Sequence, residues 1–138
     1  KMNRRTFCLT GLAALATPGF VLAAPIAYTD GLAKKHLAKG AVIFLDFKAD
    51  WCSTCKAQER VLNKLKAANP DYEAKVTFID LDWDDHGKGA LVKELNIPRR
   101  STLVVLKGEE ELGRIVAGTG KDEIKALMDV ALAAAASS

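Results

Sequence analysis

Residues 41–47, Ala-Val-Ile-Phe-Leu-Asp-Phe, form a short run of aliphatic, β-branched and aromatic side chains broken by one acid, which reads as a buried strand. The chain then turns helical: residues 52–68 carry Val61, Leu62 and Leu65 on one face and stop near Asn69-Pro70. Residues 76–81, Val-Thr-Phe-Ile-Asp-Leu, return to strand chemistry. Strand, helix and strand in succession impose a parallel pair joined by a right-handed crossover, and the sheet so begun needs helices to cover it.

The flanking segments extend this unit. Asp30 is positioned to cap a helix over residues 31–39, ended by Gly40. Residues 86–95 read as a helix weakened at its start by Gly87 and Gly89. Residues 102–106 and 112–117 bracket Lys107-Gly108-Glu109-Glu110-Glu111, a hairpin pattern. Residues 122–134 form a closing helix, followed by a frayed end over 135–138. The expected order is α-β-α-β-α-β-β-α: one α/β domain with a mixed four-stranded sheet and helices on both faces.

Charge excludes one class of function. The 138 residues carry a net charge of +3, but Lys1, Arg4 and Arg5 sit in the first five positions. Setting those aside leaves 17 of the 20 basic residues against 17 acidic ones, so the body of the chain is neutral and offers no basis for nucleic-acid binding. Hydrophobic residues at 49% and charged residues at 27% are the balance of a globular chain rather than a disordered one.

The first segment reads differently. Arg4-Arg5-Thr6-Phe7 precedes an apolar stretch broken by Gly11, Pro18 and Gly19, too short to span a bilayer. Small residues at Ala23 and Ala24 offer a cleavage site, so residues 1–23 have the layout of a secretory signal and residues 24–138 that of the folded domain. The Arg-Arg-x-Phe order resembles a twin-arginine signal, which implies export to a bacterial periplasm, where disulfides persist. Phe7-Cys8-Leu9 is not a lipidation motif.

The chain has three cysteines, Cys8, Cys52 and Cys55, which leaves one close pair for the domain. Cys52-Ser53-Thr54-Cys55 follows the buried strand and opens a helix. Cys52 there meets unpaired backbone N–H groups and the positive end of the helix dipole, both of which favour thiolate over thiol. The thiolate is the attacking species in disulfide exchange, so Cys52 is the expected nucleophile and Cys55, one turn on, the resolving thiol. The reading requires the two sulfurs to be adjacent and reachable from solvent. A zinc half-site would need four ligands, and only the isolated His36 and His86 could join. A purely structural bridge closing so small a loop would add little stability.

The segment Phe47-Lys48-Ala49-Asp50-Trp51-Cys52-Ser53-Thr54-Cys55-Lys56 resembles the active-site segment of thioredoxins, and the element order is similar to their fold across residues 41–132. The resemblance implies a redox-active disulfide between Cys52 and Cys55, with no cofactor and no bound metal. It places Trp51 over the dithiol and makes Asp46 the family's buried acid, able to accept a proton from the resolving thiol. It also implies a cis-proline opposite the dithiol. Aligned without gaps, Ser101 stands there and Pro98 falls three residues early. A non-proline cis bond costs about 3 kcal/mol, so Arg100-Ser101 is expected to be trans or strained. Arg99 and Arg100 are expected near the dithiol, with Trp51, Arg100 and Ser101 forming the substrate-binding edge. The cluster Asp80-Leu81-Asp82-Trp83-Asp84-Asp85 lacks the glycine and distal glutamate of an EF-hand loop and reads as a solvated turn.

The function implied is a periplasmic thiol–disulfide oxidoreductase acting as a reductant. Its partners would be disulfide- or dithiol-bearing envelope proteins, such as apocytochromes c or metallochaperones, and a membrane electron carrier of the DsbD or CcdA type would recharge it. The alternative is a binding module whose soft thiolates hold Cu(I) without turnover.

Overall fold

The computed structural model describes residues 24–137. The segment expected to be an export signal, residues 1–23, lies outside the described residues. The elements run β1 (Ile26–Ala27), α1 (Leu32–Ala38), β2 (Val42–Lys48), α2 (Ser53–Ala68), α3 (Asp71–Lys75), β3 (Thr77–Asp82), α4 (Trp83–His86), α5 (Ala90–Glu94), β4 (Thr102–Lys107), β5 (Glu110–Val116) and α6 (Lys121–Ala136). The sheet order is β1-β3-β2-β4-β5. β2 lies at its centre, parallel to β3 on one side and antiparallel to β4 on the other.

The sheet therefore has five strands rather than the expected four. The addition is β1, two residues that pair in parallel with Ile79 and Asp80 of β3. Of the expected helix over 86–95, residues 90–94 form α5, and a separate short helix, α4, precedes it and ends at His86. Asp82 starts α4 by accepting from the Asp84 backbone N–H at 3.0 Å, and the Gly87–Gly89 stretch breaks the run. α3 is a further addition: Pro70, at φ −61°, is already set for a helix start, and the Asn69 side chain accepts from the Asp71 N–H at 3.1 Å. Gly31 rather than Asp30 stands at the cap of α1. The closing helix continues to Ala136, through part of the expected frayed end.

Alternation along β2 sends its side chains to two cores. Val42 and Phe44 join Leu62, Leu65, Tyr72, Ile124 and Met128 beneath α2, α3 and α6. Ile43, Leu45 and Phe47 join Ala33, Ile79, Leu81, Leu91 and Val92 beneath α1 and α5. Helices thus cover both faces, and burial of each large side chain contributes roughly 1.5–3 kcal/mol. The same alternation puts Asp46 on the α2 face. In register it stands beside Asp80 of β3.

Candidate active site

The site is built at the carboxyl end of the central strand. After β2 the chain turns through Ala49-Asp50-Trp51, with the Cys52 N–H donating to the Ala49 carbonyl at 3.1 Å. Cys52 is the N-cap of α2, in extended backbone, and its Sγ accepts the Cys55 N–H at 3.1 Å. A sulfur in that role takes up one of the orphan donors of the helix start. Cys52 and Cys55 form a disulfide, with their Cα atoms 5.3 Å apart. The sulfurs are adjacent, as the exchange reading requires, but both cysteines are buried rather than open to solvent: Cys55 is 0% exposed and Cys52 3%, so Cys52 alone offers an approach.

Ser101 closes the site from the other side. Its Oγ lies 3.1 Å from Cys52 Sγ and 3.0 Å from Cys55 Sγ, and the residue is wholly buried. All peptide bonds among the described residues are trans, and Ser101 takes φ 64°, a region that side-chain-bearing residues seldom enter. Three hydrogen bonds hold it there. Its N–H donates to the Phe47 carbonyl at 2.7 Å. Its own carbonyl accepts the Ala117 N–H at 2.8 Å and Gln58 Nε2 at 2.9 Å.

Gln58 was not singled out by the sequence reading. It is fully buried, and its amide also donates to the Gly118 carbonyl at 2.9 Å, tying the Ser101 turn to the end of β5. The signal was present: positions 55, 58, 62 and 65 share one face of α2 by helical spacing, and Gln58 is the polar side chain in that apolar row; Lys66 is the other buried polar residue of the helix.

Trp51 stands beside the disulfide, 59% exposed, and is fixed on two sides. Its Nε1 donates to the Asp84 carboxylate at 3.0 and 3.1 Å. The Arg100 guanidinium lies 4.4 Å from its ring centroid, a cation–π distance. Trp83 packs against Ala49, Cys52 and Cys55. The acidic cluster read as a solvated turn is therefore more structured than expected. Asp80 pairs with Lys48 at 3.7 Å, Asp82 caps α4 and Asp84 anchors the indole. Among the described residues, no group of three His, Cys, Asp or Glu side chains could hold a metal ion.

Asp46 is 4% exposed, and its Oδ1 has no hydrogen-bond partner. It opens onto a cavity of about 60 Å³ lined also by Lys48, Glu59, Lys66 and Asp80. That volume holds a water molecule. Burial pushes its carboxyl up to about 7, the neighbouring Asp80 carboxylate adds to the rise, and Lys48 opposes it. The structure thus joins Cys52, Cys55 and Ser101 directly and stacks Arg100 on Trp51. Asp46 sits next to Glu59, one helical turn beyond Cys55 on α2.

Comparison with known proteins agrees with this geometry. The family pattern described as thioredoxin matches residues 26–130. The chain is 32% identical over 96 residues to thioredoxin H2-1 of Oryza sativa subsp. japonica, covering 70% of this chain and 64% of that one. It is 33% identical over 92 residues to the thioredoxin of Staphylococcus aureus, covering 66% and 83%. Among solved structures, Trxlp from Edwardsiella tarda EIB202 superposes with a TM-score of 0.62 at 26% identity, over 77% of this chain and 96% of that one. Thioredoxin NaTrxh from Nicotiana alata superposes with a TM-score of 0.58 at 28% identity, over 75% and 91%. The chain belongs to the thioredoxin family, as a protein-disulfide oxidoreductase with a Cys52–Cys55 disulfide at its active site.

Proposed function

We propose that the protein works in the periplasm, reducing disulfides of envelope proteins and drawing electrons from a membrane dithiol carrier. The export reading rests on the Arg4-Arg5 leader pattern, and the chemistry on one observation: Cys52 Sγ caps α2 and accepts the Cys55 N–H.

In the reduced protein that donor and the helix dipole favour the Cys52 thiolate. The thiolate attacks one sulfur of a client disulfide. A Cys52–client S–S bond forms, the client bond breaks, and the departing client sulfur leaves as a thiolate that takes a proton from solvent. Cys55 then gives its proton towards the buried Asp46 carboxylate and attacks Cys52 Sγ. The Cys52–Cys55 disulfide forms, and the second client sulfur departs as a thiolate and also takes a proton from solvent. Two electrons and two protons have passed to the client. A dithiol on the membrane carrier reverses the change in the protein and is itself oxidised.

Trp51 and the Arg100 side chain stacked on it form the wall a client meets first. The cation there favours clients with acidic residues beside the disulfide.

The test is a pair of variants in the full chain. Cys52→Ser abolishes turnover in an insulin-reduction assay, and Cys55→Ser retains clients as mixed disulfides released by dithiothreitol. Stoichiometric copper retention by the wild type without insulin turnover would overturn the proposal in favour of a metal-holding module. Direction follows from the reduction potential against glutathione: a value near about −270 mV marks a reductant and one near about −120 mV an oxidant.

A further inference from the structure

We propose that the Ser101 hydroxyl is a catalytic hydrogen-bond donor to the sulfur pair, gripping the Cys52 thiolate of the reduced protein more strongly than it grips the disulfide. The inference builds on the exchange reading of the dithiol and adds a group that sets its poise.

Within the disulfide neither sulfur carries a hydrogen, so at 3.1 and 3.0 Å the hydroxyl is the donor to both. A neutral disulfide sulfur is a weak acceptor. Reduction turns Cys52 into an anion, and hydrogen bonds to charged acceptors are roughly twice as strong as neutral ones. The reduced Cys52 then has two convergent donors, the Cys55 N–H and the Ser101 O–H. Because Ser101 is 0% exposed, water cannot substitute for the hydroxyl without a structural change.

The backbone argues in the same direction. Ser101 holds φ 64° against its own preference, fixed by Phe47, Ala117 and Gln58. A residue held in a disfavoured region by its surroundings points to a function for what it presents. What it presents is the hydroxyl. Gln58 is the positioning residue that holds the serine carbonyl from behind.

The donor favours the reduced side of the couple: protein disulfide plus two glutathione thiols gives protein dithiol plus glutathione disulfide, a two-electron exchange. It moves the protein towards the oxidising end, so the role of reductant requires a recharging carrier more reducing still.

The test measures isolated protein with no client present, so it is independent of whether insulin or any envelope protein is turned over. In Ser101→Ala the Cys52 thiolate, followed by ultraviolet absorbance and by the pH dependence of alkylation, forms at a pH about one unit higher. The equilibrium constant with glutathione falls about tenfold, which is about 30 mV towards a reductant. Ser101→Gly also lacks the hydroxyl but accepts φ 64° freely, and it gives the same two shifts. The other charged groups by the site, Arg100 on the Trp51 ring, Asp84 on its indole and the buried Asp46, are present in wild type and in both variants. Near-ultraviolet circular dichroism checks that each variant keeps its packing. If both variants stay within twofold of wild type in both measurements, the proposal is overturned. A shift in Ser101→Ala without one in Ser101→Gly overturns it too, because the backbone would then be the cause.

Discussion

Asp46→Asn removes a charge from the most confined carboxyl in the protein. Asp46 is 4% exposed with its Oδ1 unpartnered, and its carboxyl stands at about 7 instead of 3.8. Below about pH 4 it is protonated in both the folded and the unfolded chain, so it has no net effect on stability. Between the two values the unfolded chain has released the proton and the folded chain retains it, and stability falls as pH rises through that window. Above about pH 7 the folded protein holds the anion at full cost. A displacement of about three units, at about 1.4 kcal/mol each, sets that cost at about 4 kcal/mol. The Lys48 ammonium opposes the rise, and the value of about 7 already contains its contribution. An amide of the same size does not titrate, so the variant gains on wild type as pH rises. The assay is urea denaturation of the oxidised protein at pH 4, 6 and 8. The variant-minus-wild-type difference in unfolding free energy should climb by 2–4 kcal/mol (roughly) between the extremes. A difference that is the same at pH 4 and pH 8 would refute the burial argument, whatever its size.

Two other outcomes can be checked. The Asp46→Asn variant should resolve its mixed disulfide more slowly at neutral pH, seen as accumulation of the adduct in a single-turnover experiment, while alkylation of Cys52 changes little. Gln58→Leu withdraws the side-chain donor from the Gly118 carbonyl and one of two donors from that of Ser101, and should destabilise the oxidised protein by about 1–3 kcal/mol in the same denaturation assay. The client-trapping pair and the Ser101 variants are independent of both, since their readouts are covalent adducts and a redox equilibrium.

Much of the architecture was legible because strong local patterns carried it. The run over 41–47 fixed a central buried strand, and its alternation already placed Asp46 on the opposite side from Phe47. The dithiol was legible from its place between that strand and a helix. The resemblance to thioredoxins, aligned without gaps, put Ser101 opposite the sulfurs, where the structure has it. What escaped depended on distance in sequence. β1 is two residues long, too short to show any period, and exists because β3 offers it an edge. Asp84 meets Trp51 across 33 positions. Gln58 finds its two carbonyls across 43 and 60. The helix expected over 86–95 starts only at Ala90, because Gly87 and Gly89 interrupt the run rather than merely weaken it, and the turn ahead of them is a separate helix capped by Asp82.

The two margins of the sheet bear on how anything docks. On one side lies β1, a two-residue strand too brief to template another chain. On the other lies β5, which carries Glu110, Glu111 and Arg114 along its length and sits beside a register shift at Val105/Leu106. Arg114 is turned back onto Glu111 and the Leu95 and Asn96 carbonyls. Extra strands find little purchase at either border, which disfavours recruitment by sheet extension and also protects against stacking of one copy on the next.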